Sequence, residues 1–488
     1  MHINKLKYRI WKNMNQIKTI FKNMSWMLIS QIIASICGFI WTILIARYLG
    51  VSDYGILGFA ISLTGILAIL VDFGISTHIV RHIATDYDSA PKYLGNAIPL
   101  KSLFSIGAFI ITLIILILMK SNELTITITL LFTIEMIIKS FIGLLNGSFQ
   151  AFEEGKYQGI GNTIMNIILL AFIMISIFTD LGLFGIAISY ILANGIALLY
   201  EYSSLNNITK PEYELDLSFC KNITILSLPF AITSILYSVY YSIDVVMLTN
   251  LVGSYPTGIY NAAYKLISVL TLFYAVYGAV IFPVMSKFYK NDEKLLLISF
   301  EKSMKYITLI ILPLVIATMI YSSDIIHLIY GAEYYAASSA LSILGWTVFL
   351  LYIAGACNAL LNASHKEITV TKMYAIAAIF NVALNFIMIP YFSYNGAAIT
   401  TVLSDLLIMI IQIYVIYKLG HRPNKKLYHD LVKIIVGSGI LGIALYFLHL
   451  NMWVALPVGI IIYFAIIYLF RVFDDDDKYV IKEILSRN

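Results

Sequence analysis

Apolar residues in this chain run continuously for about 20 positions at a time, broken by short polar stretches. Runs of that length and continuity predict helices, because lipid leaves a spanning segment no other way to satisfy its own backbone. The pattern gives about fourteen spans. The first six fall near 25–46, 55–79, 97–119, 124–148, 159–179 and 182–203. The next six fall near 223–248, 258–284, 304–321, 339–361, 371–390 and 396–417, and the last two near 431–449 and 452–471. The fold class expected is therefore an all-α polytopic membrane protein.

The polar breaks repeat. LVGSYPTGIYNAAYK from Leu251 lies on LGVSDYGILGFA from Leu49 when shifted by 203 positions. Gly253 then falls on Gly50, Gly258 on Gly55, Ile259 on Ile56 and Ala263 on Ala60. LLNGS at Leu144 returns as LLNAS at Leu360, and GIAI at Gly185 as GAAI at Gly396. The polar linker NNITKPEYELDLSFCK, from Asn206 to Lys221, separates the copies. Six spans per copy is an even number, so both copies share one orientation, a parallel repeat about the membrane normal. The expected organisation is a basic cytoplasmic segment (1–24), an N-lobe (25–205), a linker (206–222) and a C-lobe (223–418). Spans thirteen and fourteen (431–471) and a cytoplasmic tail (472–488) follow.

Charge supports this count. Only 12% of the 488 residues are charged, against roughly 25% in soluble proteins, and mean hydropathy is +0.87. With the N-terminus inside, the outer loops hold Arg47 and Lys120, and Lys139 and Lys265 lie in spans. The remaining basic residues of the 32 sit in inner segments or at the inner ends of spans, which puts both termini in the cytoplasm of a multi-pass cell-membrane protein. The same rule explains the net charge of +5 without nucleic acid. Cys37 and Cys357 lie in apolar runs and Cys220 in the linker, a pattern that suggests neither a disulfide framework nor a metal site. DDDDK at Asp474 matches a protease-site tag, but the amphipathic YVIKEILSRN that follows reads as a native tail.

Ionisable residues inside a bilayer are costly and face a cavity or a partner. Glu135 and Lys139 are one helical turn apart and share a face, either as a packing pair or as the wall of a polar cavity. Asp244 and Lys265 fall at similar depth on spans seven and eight, as a clasp or, with Lys265 in a cavity, as a phosphate site. Asp405 on span twelve reads as a proton or Na⁺ carboxylate or as a protonated packing residue. Asp72, His78, Arg81 and His82 gather toward the inner end of span two. Arg81 and Arg47 either snorkel to headgroups or meet a substrate phosphate at the inner and outer mouths. The substrate-binding candidates are thus Arg47, Arg81, Lys265, Glu135 and Lys139, and the coupling-ion or gating candidates are Asp244, Asp405 and Asp72. Pro229, Pro283 and Pro313 would kink helices, which suits a bundle that rocks.

No catalytic constellation emerges. There is no Walker-type Gly-rich loop, and the first two outer loops offer only Asp53 and Glu123 where a glycan-joining enzyme would carry paired acids. SWMLISQIIASICGFIWTILIARYLGVSDYGILGFA from Ser25, VDFGISTHIVRHIA from Val71 and GIYNAAYKLISVLTLFYAVYGAVIFPVMSKFY from Gly258 resemble the polysaccharide-biosynthesis flippases. These belong to the multidrug/oligosaccharidyl-lipid/polysaccharide flippase superfamily. The resemblance implies two six-helix lobes around a central cavity plus two C-terminal helices. It implies translocation of a polyprenyl-(pyro)phosphate-linked oligosaccharide to the outer leaflet by alternating access, with Arg47, Arg81 and Lys265 fitting the cationic cavity positions. It implies no cofactor and no enzyme activity. The partners expected are the lipid-linked oligosaccharide, membrane lipids and glycan-assembly proteins, around a monomer. Span one has no arginine before Arg47, unlike the peptidoglycan-precursor flippases. A cation-coupled multidrug exporter of the same fold is the competing reading. It would require a midplane carboxylate on span one or seven.

Overall fold

A computed structural model of the chain describes the backbone of residues 2–213, 215–448, 450–474 and 477. Side chains are described except at 2–22, 24, 272, 273, 275, 276, 279 and 291. The described residues are almost entirely helical and form two compact units, Met1–Gly258 and Ile259–Asn488.

The first unit contains α1 (His2–Asp72), α2 (Ile75–Ile83), α3 (Ala90–Leu118), α4 (Glu123–Ala151), α5 (Gly155–Phe178), α6 (Gly182–Leu205) and α7 (Leu217–Val252). Side-chain caps fix two of the starts. Asn122 accepts from the Thr125 amide at the head of α4, and Asp216 accepts from the Ser218 and Phe219 amides at the head of α7. Helix α1 packs on α4, α5 and α7, and α6 packs on α4 and α5. Its core is aliphatic, with Ile75, Ile79, Leu94, Leu144, Phe149 and Leu205 in one cluster. Phe59, Leu63, Val71, Leu116 and Met136 form a second. Outward faces expose large apolar residues such as Ile110, Leu118 and Phe178, as lipid contact requires.

The outer loop expected between spans one and two is a single non-helical residue inside α1, Gly50, at φ 70°. Its repeat partner Gly253, between α7 and the next helix, has φ 101° and the same extended ψ. Glycine takes this conformation without the clash that a Cβ would bring. The repeat continues into packing. A Cβ on Gly55 would lie 1.9 Å from the Ser254 carbonyl oxygen, and one on Gly258 would lie 1.9 Å from that of Val51. Ser254 is the repeat equivalent of Val51, so the two turns lie against each other reciprocally, backbone to backbone.

Span two, read as one helix over 55–79, is broken. Phe73 (φ 48°) and Gly74 (φ 75°) end α1 and start α2 afresh. A Cβ on Gly74 would strike the Ser227 carbonyl oxygen of α7 at 2.6 Å, so close backbone approach enforces the break. The linker is tied down rather than loose. The Glu212 amide donates to the Pro91 carbonyl at 3.0 Å, and the Asp216 amide to Asn96 Oδ1 at 2.8 Å. Cys220, placed in the linker by sequence, is instead buried in α7.

The second unit contains α8 (Ser254–Asn291, which begins in the first), α9 (Glu293–Ile320), α10 (Ser322–Tyr330), α11 (Ala337–Ala363), α12 (Glu367–Lys418), α13 (Lys425–Leu448) and α14 (Met452–Leu469). Helix α11 packs on α9 and α12, and α13 on α9 and α14. Ser393, at φ 53°, interrupts α12 as Gly50 interrupts α1. Half of the outer loop expected over Ser322–Ser338 is α10.

The chain beyond α14 docks back. Asp477 is buried and accepts from Lys305 Nζ at 2.7 Å, from Lys302 Nζ at 2.5 Å and from the Tyr306 hydroxyl. Asp474 pairs with Lys302 at 3.0 Å and Lys426 at 2.9 Å, and Lys305 also reaches Asp430 at 2.9 Å. Burial alone would raise the Asp477 carboxyl, but hydrogen bonds from Lys302, Lys305 and Tyr306 outweigh it and hold the group below the usual carboxylate range. Asp474 is held well below that range in the same way. Burial opposes its charge, and hydrogen bonds from Lys426, the Asp477 amide and Lys302 prevail. Residues 478–488 of the expected amphipathic tail lie outside the described residues.

Candidate functional site

Three of the charged residues picked out by sequence meet in one cavity of about 430 Å³ in the first unit. Asp72 comes from the end of α1, and Glu135 and Lys139 from α4; Thr64 of α1, Ser76 of α2, Ser140 of α4 and Tyr190 of α6 complete the polar part of the lining. The break at Phe73–Gly74 makes this possible. It lets Asp72 leave the axis of α2 and its carboxylate accept from Ser76 Oγ.

Two ion pairs run along the wall with opposite polarity. Lys101 of α3 donates to Asp72 Oδ1 at 2.7 Å, to the Ser140 carbonyl at 2.7 Å and to Ser76 Oγ at 3.2 Å. Here the lysine is fully buried while Asp72 keeps 29% of its side chain exposed. In the second pair Lys139 lies 2.7 Å from Glu135, and the carboxylate is the buried partner at 6% against 52% for the lysine. Asn194 Nδ2 of α6 also donates to Glu135, at 3.2 Å. The cavity is therefore formally neutral, and the groups that reach its open space are one carboxylate and one ammonium.

Arg81, exposed on α2, lines an adjoining cavity of about 450 Å³. The two cavities share Ser76 and Gly143, so Lys139 and Arg81 line adjoining spaces. The rest of the expected cluster on span two separates from Asp72. His78 is buried, and His82 stacks on Tyr93 at 5.4 Å between centroids.

Other candidates lie elsewhere. Arg47 is exposed on α1, and Asp244 is buried on α7. Lys265 is exposed on α8 and Asp405 buried on α12, both in the second unit. None of these four lines either cavity. Sequence reading missed Lys101, assigned to an inner segment, and the α6 residues Tyr190, Asn194 and Glu201. A readable signal existed for the last two, since positions seven apart on a helix share a face.

Comparison with known proteins gives the fold. A solved structure of the lipid II flippase MurJ, inward closed, superposes with a TM-score of 0.76 at 17% identity, over 91% of this chain and 98% of that one. An inward-facing multidrug resistance MATE family transporter gives 0.65 at 16% identity, over 79% and 95%. Among sequences, a capsular polysaccharide biosynthesis protein of Staphylococcus aureus is 26% identical over 81% of this chain and 99% of its own length. A probable low-salt glycan biosynthesis flippase of Haloferax volcanii is 24% identical, over 74% and 75%. A family model for the lipid II flippase MurJ matches residues 243–465. The model described as polysaccharide biosynthesis protein matches residues 20–289, more than half of the chain, and the protein belongs to that family of membrane flippases.

Proposed function

We propose that this protein carries a polyprenyl-(pyro)phosphate-linked oligosaccharide from the cytoplasmic to the outer leaflet by alternating access, serving export or assembly of a surface polysaccharide. The observation that carries this reading is Lys139. Its ammonium is held at 2.7 Å by a buried carboxylate yet stays half exposed beside a largely apolar cavity. A phosphate oxygen entering the cavity can share or replace Glu135 as its partner, and Arg81 offers a second cation in the adjoining space. Arg47 and Lys265 are further phosphate contacts in this proposal, and Asp244 and Asp405 the coupling carboxylates. Asp72, paired with Lys101, gates the cavity wall.

Eleven described helices are long and apolar enough to cross a membrane. The interruptions at Gly50 and Ser393, and the 38-residue α8, support about fourteen crossings with both termini in the cytoplasm. The sequence repeat supports two six-crossing lobes, 25–205 and 223–418, joined by the linker 206–222 and followed by spans over 431–471. The protein acts in the cell membrane as a carrier without chemistry of its own, a monomer that receives its substrate from glycan-assembly proteins. A multidrug exporter is disfavoured by the pairing of both cavity carboxylates with lysines, which leaves no net negative charge for an organic cation.

The test uses purified protein in liposomes with a fluorescent pyrophosphate-linked oligosaccharide and a membrane-impermeant quencher. Wild type should speed translocation over empty vesicles. A charge-assisted phosphate contact is worth about 1.5–3 kcal/mol, so Lys139→Gln and Arg81→Gln should each slow it about tenfold or more. No acceleration by wild type would refute the reading.

A further inference from the structure

Beside the ion-paired cavity lies a second chamber of about 270 Å³, enclosed by α1, α4, α5 and α6. Its polar lining is Gln31, Asn146, Asn162, Asn194, Lys139 and Glu201, with Ser30 and Gln158 at the edge. Glu201 is 1% exposed, and its Oε2 has no hydrogen-bond partner. Its carboxylate fits there because α5 has a glycine opposite; a Cβ on Gly161 would meet Glu201 Oε1 at 2.3 Å. The Asn146 Oδ1, on the same lining, is buried and also has no donor.

Among the described residues the charges facing Glu201 are few. From α4 comes Lys139, already paired with Glu135 behind it. The α1 and α5 residues on the lining are neutral, and Tyr157 of α5 and Tyr200 of α6 add phenols nearby. An ionised carboxylate shut into a low-dielectric bundle, with no cation of its own among the described residues, costs several kcal/mol. A carboxylic acid removes that cost and becomes a donor, which is what the Asn146 oxygen lacks. A Na⁺ ion is the poorer fit. It wants several oxygens around it, yet one side of the carboxylate is closed by the Gly161 backbone and an ammonium lines the same wall.

We propose that Glu201 is a proton-exchanging site, neutral when its proton is bound and shared, directly or through one water, with Asn146. Loss of the proton creates a charge that Lys139 answers, since its ammonium borders both chambers and its side chain is half exposed. Turning Lys139 toward Glu201 withdraws it from the first cavity. The proton on Glu201 thus sets whether Lys139 is available to a phosphate; this coupling rests on the proposed function, whereas the proton site does not.

Infrared difference spectroscopy of the full-length protein in lipid, between low and high pH, reads the site directly. Wild type should show a protonated-carboxyl band that bleaches as pH rises. Glu201→Gln should lose it and Glu135→Gln keep it. Asn146→Leu, useful if Glu201→Gln does not accumulate, should shift the band to the frequency of a weaker hydrogen bond. A band unchanged in Glu201→Gln, or one that Na⁺ bleaches at fixed pH, overturns the proposal. In the liposome assay, wild-type translocation should vary with pH and Glu201→Gln should abolish that variation. A pH-independent wild type overturns the coupling alone, and the absence of any translocation overturns the flippase reading while leaving the infrared result standing.

Discussion

Lys101 and Lys139 belong to similar ion pairs, but the first pair buries its lysine and the second its carboxylate, and substitution tells them apart. Lys101 is fully enclosed, and Lys101→Met leaves the Asp72 carboxylate with only Ser76 and the edge of a cavity. Breaking a buried pair by removing one partner costs about 3–5 kcal/mol, and the partial exposure of Asp72 should bring this to about 2–3. Thermal unfolding in detergent should show the loss, and adding Asp72→Asn should recover most of it. Lys139→Met alone would strand the buried Glu135 carboxylate, so the test pairs it with Glu135→Gln, whose amide oxygen can keep the bond from Asn194. The double variant should leave the melting temperature nearly unchanged while translocation falls, and if it proves as destabilising as Lys101→Met, Lys139 is a packing residue. The sequence exposed Asp72, Glu135 and Lys139 because each charge interrupts an apolar run. Lys101 and Glu201 escaped because they stand near the ends of their runs, beside polar segments, where a linear reading assigns them to headgroups. Burial there is decided by neighbouring helices, Ser140 over Lys101 and Gly161 over Glu201, which no single run reports.

At the level of elements, the turns at Gly50 and Gly253 were legible as a repeat, and the repeat also turned out to be a contact. Gly55 and Gly258 carry the close approach, and the obstacle facing each is a backbone carbonyl, which cannot rotate away. Gly258→Ala should therefore act at the severe end of overpacking, about 3 kcal/mol. Gly253→Ala meets no atom within 4 Å and should lose only the strain of a backbone region almost reserved for glycine, about 1–3 kcal/mol. Gly107→Ala, inside α3 with nothing near its Cβ, should gain about 0.5–1 kcal/mol of helix propensity. Melting temperatures of the three variants should rank in that order, and equal values for Gly258→Ala and Gly107→Ala would show that the helices are free to separate. The break of span two at Gly74 was not legible, because apolar residues continue on both sides of it and one Gly does not stop a helix. Only the approach of α7 shows why a helix must stop there.

For the whole molecule, hydropathy was enough to reveal a polytopic helical protein, but it said nothing of how the far end of the chain is held. The aspartate run at 474–477 has two readings, a protease-site tag or a native tail, and its two described aspartates are packed against the bundle rather than free. Asp474 and Asp477 close a network with Lys302, Lys305, Lys426 and Asp430, drawn from α9, α13 and the tail. A protease that recognises DDDDK needs those carboxylates free. It should cut the folded protein slowly, and Lys302→Ala with Lys426→Ala should speed cleavage at an unchanged melting midpoint. Acid should release the tail by a predictable course. Both carboxyls are held below their ordinary values, so their contribution is complete above the unfolded pKa near about 3.9. It declines as pH drops below that and disappears only under the depressed folded values. Tail protection should therefore be constant from neutral pH down to about 5, measured by cleavage after brief acid exposure or by hydrogen exchange at the tail. Release that begins near neutrality would mean that the carboxyls are raised rather than depressed by their surroundings, and that the network is weaker than its distances imply.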